Sequence, residues 1–128
     1  MRKIILFSFV IAFVSCQESL EERCAREAQE FTKKNCPVKA NESVTVDSMT
    51  FDKTTTTLHY YYTVSGKIDN KQVLNKSDIR KSILNDLRNT TSIKNYKEAG
   101  YNFAYTYWSA SRKGQKLVEL TFTKKDYE

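Results

Sequence analysis

The strand pattern that decides the fold lies in residues 55–64, TTTLHYYYTV. From residue 57 onward two sets of side chains alternate, which is the period-two pattern of a strand with one buried face. One set is Leu58, Tyr60, Tyr62 and Val64, and the other is Thr57, His59, Tyr61 and Thr63. The alternation predicts that the first set faces the core and the second set lies on the opposite face.

Three more runs have strand character and extend this element into a sheet. In residues 44–51 the pairs Val44/Val46 and Met49/Phe51 are out of phase, and a β-bulge near Asp47 would put both pairs on one face. Residues 101–108 and 118–122 alternate regularly. Short polar turns at 52–53 and 112–114 join the four runs into two hairpins, which favours antiparallel pairing.

Two amphipathic helices are predicted beside these strands. The first spans residues 18–34, and Pro37 prevents it from continuing. Its apolar stripe is Leu20, Cys24, Ala28 and Phe31. The second runs from Ser77, a suitable N-cap residue, to Asn89. Its stripe is Ile79, Ile83, Leu84 and Leu87. Residues 90–100 are predicted to form a short helical turn that ends at Gly100, and residues 124–128 a tail.

The predicted order is therefore helix, hairpin, helix, hairpin. This α-ββ-α-ββ order predicts an α+β domain, with a four-stranded antiparallel sheet and helices on one face. The order is similar to that of the β-lactamase-inhibitor-protein fold, a similarity of element order that no residue motif supports.

The N-terminus has the layout of a secretory signal peptide. A basic start, Met1-Arg2-Lys3, precedes an apolar run of 11 residues from 4 to 14, and Ser15 and Cys16 follow. The run is shorter than the roughly 20 apolar residues that a membrane-spanning helix needs. We therefore expect residues 1–15 to be a signal peptide and residues 16–128 to be one α+β domain on a short tether.

This segment resembles a bacterial lipoprotein signal, in which the cysteine is lipidated and becomes the N-terminus. Val14 and Ser15 fit the usual lipobox, and Phe13 in place of leucine resembles the looser pattern of Bacteroidetes lipoproteins. The resemblance implies attachment to the bacterial outer membrane through acyl chains on Cys16, on the periplasmic or the surface side. An ordinary signal peptide and plain secretion remain the alternative.

The expected pairing of the three cysteines depends on this resemblance. If Cys16 carries lipid, Cys24 and Cys36 remain as a pair in an oxidising compartment. A disulfide between them is predicted if the first helix ends by residue 33 or 34 and Pro37 turns the chain back. The alternative is a buried Cys24 thiol and an unrelated Cys36. A zinc site is not expected, because two cysteines and one distant histidine do not provide four ligands.

Composition excludes several classes of function. The net charge of +6 falls to +4 without Arg2 and Lys3, and the remaining basic residues are scattered, so nucleic acid is not an expected partner. The three glycines form no phosphate-binding loop, and no nucleophile motif accompanies His59, the single histidine. We expect no cofactor and no catalysis.

The outer face of the sheet is the candidate binding surface. His59, Tyr61 and Trp108 are predicted to lie there, and tyrosine and tryptophan are enriched at recognition surfaces. We expect a non-catalytic binding or inhibitory module with a protein or glycan ligand. Three alternatives remain: an accessory or structural subunit of an envelope complex, an enzyme with an unrecognised carboxylate site, and a threonine-rich face that meets only water.

Overall fold

The structure is a computed structural model that describes residues 18–128. The predicted signal peptide, residues 1–15, and the predicted lipidation site Cys16 lie outside these residues. Within residues 18–128, none of the helices combines the length and the apolar character needed to cross a membrane.

Within residues 18–128, four helices and five strands form an α+β fold. In chain order they are α1 (Leu20–Asn35), β1 (Val38–Lys39), β2 (Val44–Asp52), β3 (Thr57–Val64), a 3-10 turn (Gly66–Ile68), α2 (Lys76–Asn89), α3 (Lys94–Glu98), β4 (Asn102–Ser109), β5 (Lys116–Phe122) and α4 (Lys124–Tyr127).

The strands form one mixed sheet in the order β1-β2-β3-β4-β5. Both predicted hairpins are confirmed, because β2 pairs with β3 and β4 with β5 in antiparallel fashion. The prediction of four antiparallel strands is wrong in two respects. A short fifth strand, β1, pairs with β2 at the edge, and the central strands β3 and β4 are parallel.

The parallel central pair follows from the segment that joins β3 to β4. Parallel neighbours need a crossover connection of a dozen or more residues, and a helix usually supplies it. Helix α2 has 14 residues, and at 1.5 Å per residue it is about 21 Å long. It returns the chain to the end of the sheet where β3 began, so β4 runs in the same direction as β3.

The predicted bulge in β2 is confirmed. The register with β3 shifts between Val46, which pairs with Tyr62, and Ser48, which pairs with Tyr61. Asp47 is the extra residue. The bulge brings Val46 and Met49 into phase on one face, which removes the conflict between the two apolar pairs of this strand.

Helix α1 begins with a capping box. Ser19 Oγ accepts from the Glu22 amide at 3.0 Å, and the Glu22 carboxylate accepts from the Ser19 amide at 3.0 Å. Near its other end, Thr32 Oγ1 donates to the Met49 carbonyl at 2.9 Å and accepts from the Met49 amide at 2.8 Å. Thr32 thus satisfies backbone groups of β2 beyond the part that β1 covers.

The predicted disulfide is not formed. Cys24 and Cys36 are free thiols, Cys24 buried and Cys36 half-buried. Helix α1 runs without interruption to Asn35, so the twelve steps along the chain from Cys24 to Cys36 rise about 18 Å. That separation exceeds the ~7 Å between Cα atoms that a disulfide tolerates. The prediction required an earlier end to the helix and a chain reversal that does not occur.

Helix α2 begins slightly earlier than predicted. Its N-cap is Asn75, whose Oδ1 accepts from the Ser77 amide at 2.9 Å. Ile83 and Leu87 of the predicted stripe are buried, as expected. The turn after α2 is also confirmed, because Tyr96 in α3 is buried and Gly100 adopts a left-handed conformation at φ +80.

The predicted tail at residues 124–128 is instead the short helix α4. Thr123 and Asp126 form a capping box at its start, and Tyr127 is buried against the ring of Phe103. The Thr-x-x-Asp spacing was visible in the sequence and could have indicated this helix.

The helices lie on one face of the sheet, as predicted. Cys24 of α1 and Ile83 of α2 line spaces shared with Tyr60, and Tyr127 of α4 contacts Phe103. Tyr60 and Phe103 belong to the inward sets of β3 and β4. The core therefore lies between the helices and this face, and the opposite face carries no helix of the described chain.

Candidate functional site: the open sheet face

The open face is formed by the outward side chains of the three strands β3, β4 and β5. They are Thr57, His59, Tyr61, Thr63, Asn102, Ala104, Thr106, Trp108, Glu119 and Thr121. The parallel register pairs His59 with Ala104 and Tyr61 with Thr106. The structure thus brings His59, Tyr61 and Trp108, the three residues predicted for a ligand face, onto one surface.

His59 and Tyr61 form a stacked pair. Their ring centroids are 4.1 Å apart and the ring planes differ by 12°. They are two residues apart in one strand, so their side chains project from the same face. The Tyr61 hydroxyl lies 3.3 Å from His59 Nδ1. Because the rings are nearly parallel, this hydroxyl approaches Nδ1 from the face of the imidazole ring.

Thr106 links His59 to Glu119. His59 Nε2 lies 2.7 Å from Thr106 Oγ1, and that hydroxyl donates to Glu119 Oε2 at 3.0 Å. An ionised carboxylate only accepts hydrogen bonds, so the threonine proton points to Glu119 and its oxygen accepts from His59. The network therefore assigns the imidazole proton to Nε2 and leaves Nδ1 as an acceptor.

Lys116 extends the network to Trp108. Lys116 Nζ donates to Glu119 Oε1 at 2.8 Å and lies 5.8 Å from the centre of the Trp108 ring. This places the ammonium within cation–π range of the indole. One chain of contacts consequently crosses the face in the order Tyr61, His59, Thr106, Glu119, Lys116, Trp108.

The pKa shifts agree with this assignment. Burial lowers the pKa of His59 below its ordinary value, with the Glu119 charge acting in the opposite direction. The hydrogen bond from Lys116 is the largest cause that lowers the pKa of the Glu119 carboxyl. At neutral pH the face therefore presents a neutral imidazole beside an ionised and paired carboxylate.

A shallow depression of about 570 Å³ lies at one end of this face. Most of its lining residues carry a hydroxyl, amide, carboxylate or imidazole group. The lining residues are Thr50, Asp52, Thr55, Thr57, His59, Tyr61, Asn102, Ala104 and Thr121. These groups can donate to and accept from the polar atoms of a bound surface, with the His59–Tyr61 stack as the apolar part.

The network does not have the geometry of a catalytic triad. Thr106 is 1% exposed and its proton is already donated to Glu119, so its hydroxyl is inaccessible as a nucleophile. In a triad the acid orients the histidine, whereas here the acid contacts the threonine. Across residues 18–128, no group of three or more histidine, cysteine, aspartate or glutamate side chains is placed to hold a metal.

Three members of the network were not predicted from the sequence: Thr106, Lys116 and Glu119. The alternation of β4 and β5 did put Thr106 and Glu119 on the outward phase. Their contacts with His59 depend on the pairing of β3 with β4 and on its register, which alternation alone does not determine.

The structural class is an α+β domain with a five-stranded sheet. Helices cover one face of this sheet, and a polar and aromatic network lies on the other. The chain belongs to the family described as Domain of unknown function (DUF8479), whose model matches residues 19–118. No curated protein matches the sequence significantly.

Three solved structures share the fold. A Pseudomonas aeruginosa protein described as secreted has a TM-score of 0.68 at 14% identity and covers 88% of this chain and 100% of its own. The pilotin EpsS of the Vibrio vulnificus type 2 secretion system has a TM-score of 0.68 at 11% identity, with 85% and 92% covered. The pilotin AspS of the Vibrio cholerae type II system has a TM-score of 0.63 at 13% identity, with 84% and 91% covered. At these identities the similarity extends to the fold alone.

Proposed function

We propose that this chain is a lipid-anchored, non-catalytic accessory protein of the bacterial cell envelope, and that its open sheet face binds a partner protein. The observation that carries the proposal is the network from Tyr61 to Trp108. Its hydrogen bonds and ring contacts hold three large side chains in place before any ligand arrives. Preordered side chains lower the entropic cost of binding, which is the property expected of a recognition surface.

Two further observations support the envelope role. The N-terminal segment resembles a lipoprotein signal ending at Cys16, and acyl chains there would hold the domain at a membrane. Two of the solved structures with this fold are pilotins of type 2 secretion systems. If this chain, like those pilotins, belongs to a multiprotein assembly, the ligand of its open face is a protein rather than a glycan.

The non-catalytic part of the proposal is supported by the surroundings of His59. Its ring nitrogens contact a buried threonine hydroxyl and the stacked Tyr61 hydroxyl. The threonine is 1% exposed and already donates to Glu119, so its hydroxyl is not an accessible nucleophile for a histidine base to activate.

Lipidation is tested by intact mass spectrometry of the membrane fraction. We expect an acylated chain that begins at Cys16. Replacement Cys16→Ser should move the protein from the membrane to the soluble fraction. An unmodified chain that begins at another residue, or a Cys16→Ser protein that stays in the membrane, would overturn the anchored location.

Partner binding is tested by photo-crosslinking in the native cell. A photoreactive amino acid at Thr121, an exposed position of the open face, should yield a defined adduct with one envelope protein. The matched control is the same amino acid at Asn85, an exposed position of α2 on the helix side. Equal adducts from both positions, or none from Thr121, would contradict binding by this face.

Substitution of the aromatic residues separates binding from folding. Tyr61→Ala with Trp108→Ala should abolish the adduct at Thr121 while the protein keeps its circular dichroism spectrum. Val73→Ala removes an exposed apolar side chain outside the face and should leave the adduct unchanged. If a purified glycan competes for the face and no protein does, the ligand is a glycan and the protein-binding proposal fails.

A further inference from the structure

A second candidate site lies on the helix side of the sheet. Helix α1 packs on β2, whereas α2 packs on β5 and α4, and a space remains beside α2 over the inward tyrosines of the central strands β3 and β4. Four tyrosines line this floor in two stacked pairs. Tyr60 and Tyr105 have ring centroids 5.0 Å apart, and Tyr62 and Tyr107 are 4.6 Å apart. We call this space the tyrosine cleft.

The four phenol hydroxyls have no protein partner. None of them forms a hydrogen bond with another residue of the 18–128 range, and each keeps access to the cleft. Tyr105 and Tyr107 are only 7% and 9% exposed overall, yet their hydroxyl oxygens keep some accessible surface. Burial raises the pKa of Tyr62 to about 12, so the phenol stays protonated at neutral pH.

The remaining walls of the cleft are apolar apart from two groups. The cavity has a volume of about 290 Å³, and its other lining residues are Ile83, Asp86, Leu87, Thr90 and Ile93. This volume is at the lower end of the range for small-molecule sites, so it suits one side chain or a small molecule. The apolar residues provide a surface for an aliphatic stem.

Asp86, an exposed residue that also lines the cleft, sets its charge. It is the single ionisable carboxylate of this lining, and no lysine or arginine lines it. Within the described part of the chain Asp86 has no salt-bridge partner. A net-positive protein, +6 overall, thus carries an uncompensated negative charge beside four unpaired hydroxyls. This arrangement favours a cation over an anion or a neutral polyol.

We infer that the tyrosine cleft binds a guanidinium group on an aliphatic stem, as in an arginine side chain presented by a partner polypeptide. A guanidinium has five donors in one plane and stays charged, so it can pair with the Asp86 carboxylate while donating to phenol oxygens. The stem packs against Ile83, Leu87 and Ile93. The cleft lies on the face of the sheet opposite to His59, so this site stands or fails independently of the open face.

The binding test uses two blocked tripeptides and the purified domain. Acetyl-Ala-Arg-Ala-amide should produce saturable NMR shifts at the backbone amides of Asp86, Leu87 and Thr90. The citrulline analogue has nearly the same shape but no charge, and it should bind about tenfold more weakly or worse. Free agmatine tests whether the guanidinium comes from a partner's arginine side chain or from a small molecule. Weaker binding of agmatine than of the peptide indicates the side chain, and tighter binding indicates a small molecule.

Matched variants locate the site. Asp86→Asn should weaken the arginine peptide about tenfold, whereas Asp78→Asn, on the exposed first turn of the same helix, should leave it unchanged. Tyr62→Phe with Tyr107→Phe keeps the stacked rings and removes two hydroxyls, so affinity should fall again. The proposal is overturned if no saturable shift occurs, if citrulline equals arginine, if Asp86→Asn has no effect, or if the shifts map to the open face.

Discussion

His59 on β3 and Thr106 on β4 are 47 positions apart in the chain, yet His59 Nε2 lies 2.7 Å from Thr106 Oγ1. The contact exists because β3 and β4 are parallel and in a register that pairs Tyr61 with Thr106. The crossover through α2 therefore assembles the open face, although α2 itself lies on the other side of the sheet.

Thr106→Val should destabilise the domain by about 1 kcal/mol. The substitution keeps the shape of a buried side chain but removes the oxygen that accepts from His59 and the hydroxyl that donates to Glu119. The free energy of unfolding in urea measures the effect. Thr121→Val, at an exposed position of the neighbouring strand, is the control and should change stability by less than about 0.5 kcal/mol. Equal effects from both variants would mean that the network contributes no stability.

Acid should destabilise the domain through His59. Its pKa is lowered from the ordinary 6.5 because burial disfavours the imidazolium. The unfolded chain therefore binds the proton at a higher pH than the folded chain. The stability contribution is complete above the unfolded pKa and is lost as the pH falls through the lower folded pKa.

Urea midpoints measured from about pH 8 down to about pH 5.5 should show this loss. His59→Gln retains a side-chain donor for Thr106 but does not titrate, so its midpoint should fall less over the same range. The carboxyls with lowered pKa values, such as Glu119, lose their contribution at lower pH, below the range of this experiment. Parallel curves for the two proteins would show that His59 is not the titrating group.

The two long helices and the two hairpins could be predicted from the sequence because their signals are local. Apolar stripes indicated α1 and α2, and the phase conflict around Asp47 indicated the bulge. His59 and Tyr61 were predicted on one face since they are two residues apart in one strand. Each of these inferences needs only the geometry of a single element or a tight turn.

The direction and register of β4 against β3 could not be predicted in the same way. Alternation is identical for parallel and antiparallel strands, and the choice depends on how residues 65–101 pack across the sheet. The partners of His59 were missed for this reason. The predicted Cys24–Cys36 disulfide was wrong because it required α1 to end by residue 33 or 34. Helix ends predicted from sequence are uncertain by a few residues, and α1 continues to Asn35.

Both cysteines should be recovered as free thiols. Burial raises the pKa of the Cys24 thiol to about 12, and it also raises the pKa of Cys36. Because only the thiolate reacts readily, both should be alkylated slowly in the folded protein, Cys36 before the more deeply buried Cys24. Mass spectrometry after timed alkylation checks the order, and urea should make both react at once. A chain that gains alkyl groups only after reduction would restore the disulfide.

Ser19→Ala should cost about 1 kcal/mol of stability because it removes the side-chain half of the capping box at the start of α1. The first turn of this helix follows directly after the region of Cys16, so the loss should appear as faster amide hydrogen exchange there. Ser82→Ala, at an exposed position within α2, is the control and should be neutral or slightly stabilising. Equal exchange in the first turn of both variants would show that the cap does not hold the helix end.

Tyr127 should be the residue that makes the last helix part of the fold. Its side chain is 8% exposed, its ring packs edge-on against Phe103, and its hydroxyl donates to the Tyr101 carbonyl at 2.7 Å. Tyr127→Ala should therefore lower the free energy of unfolding by about 3 kcal/mol or more through the cavity it creates. Tyr127→Phe removes only the hydroxyl, leaves a buried carbonyl without that donor, and should cost about 1 kcal/mol. Urea unfolding of both variants separates the two contributions. If Tyr127→Ala is no more destabilising than Tyr127→Phe, the ring adds nothing to the core and the segment after Thr123 behaves as the short tail predicted from the sequence.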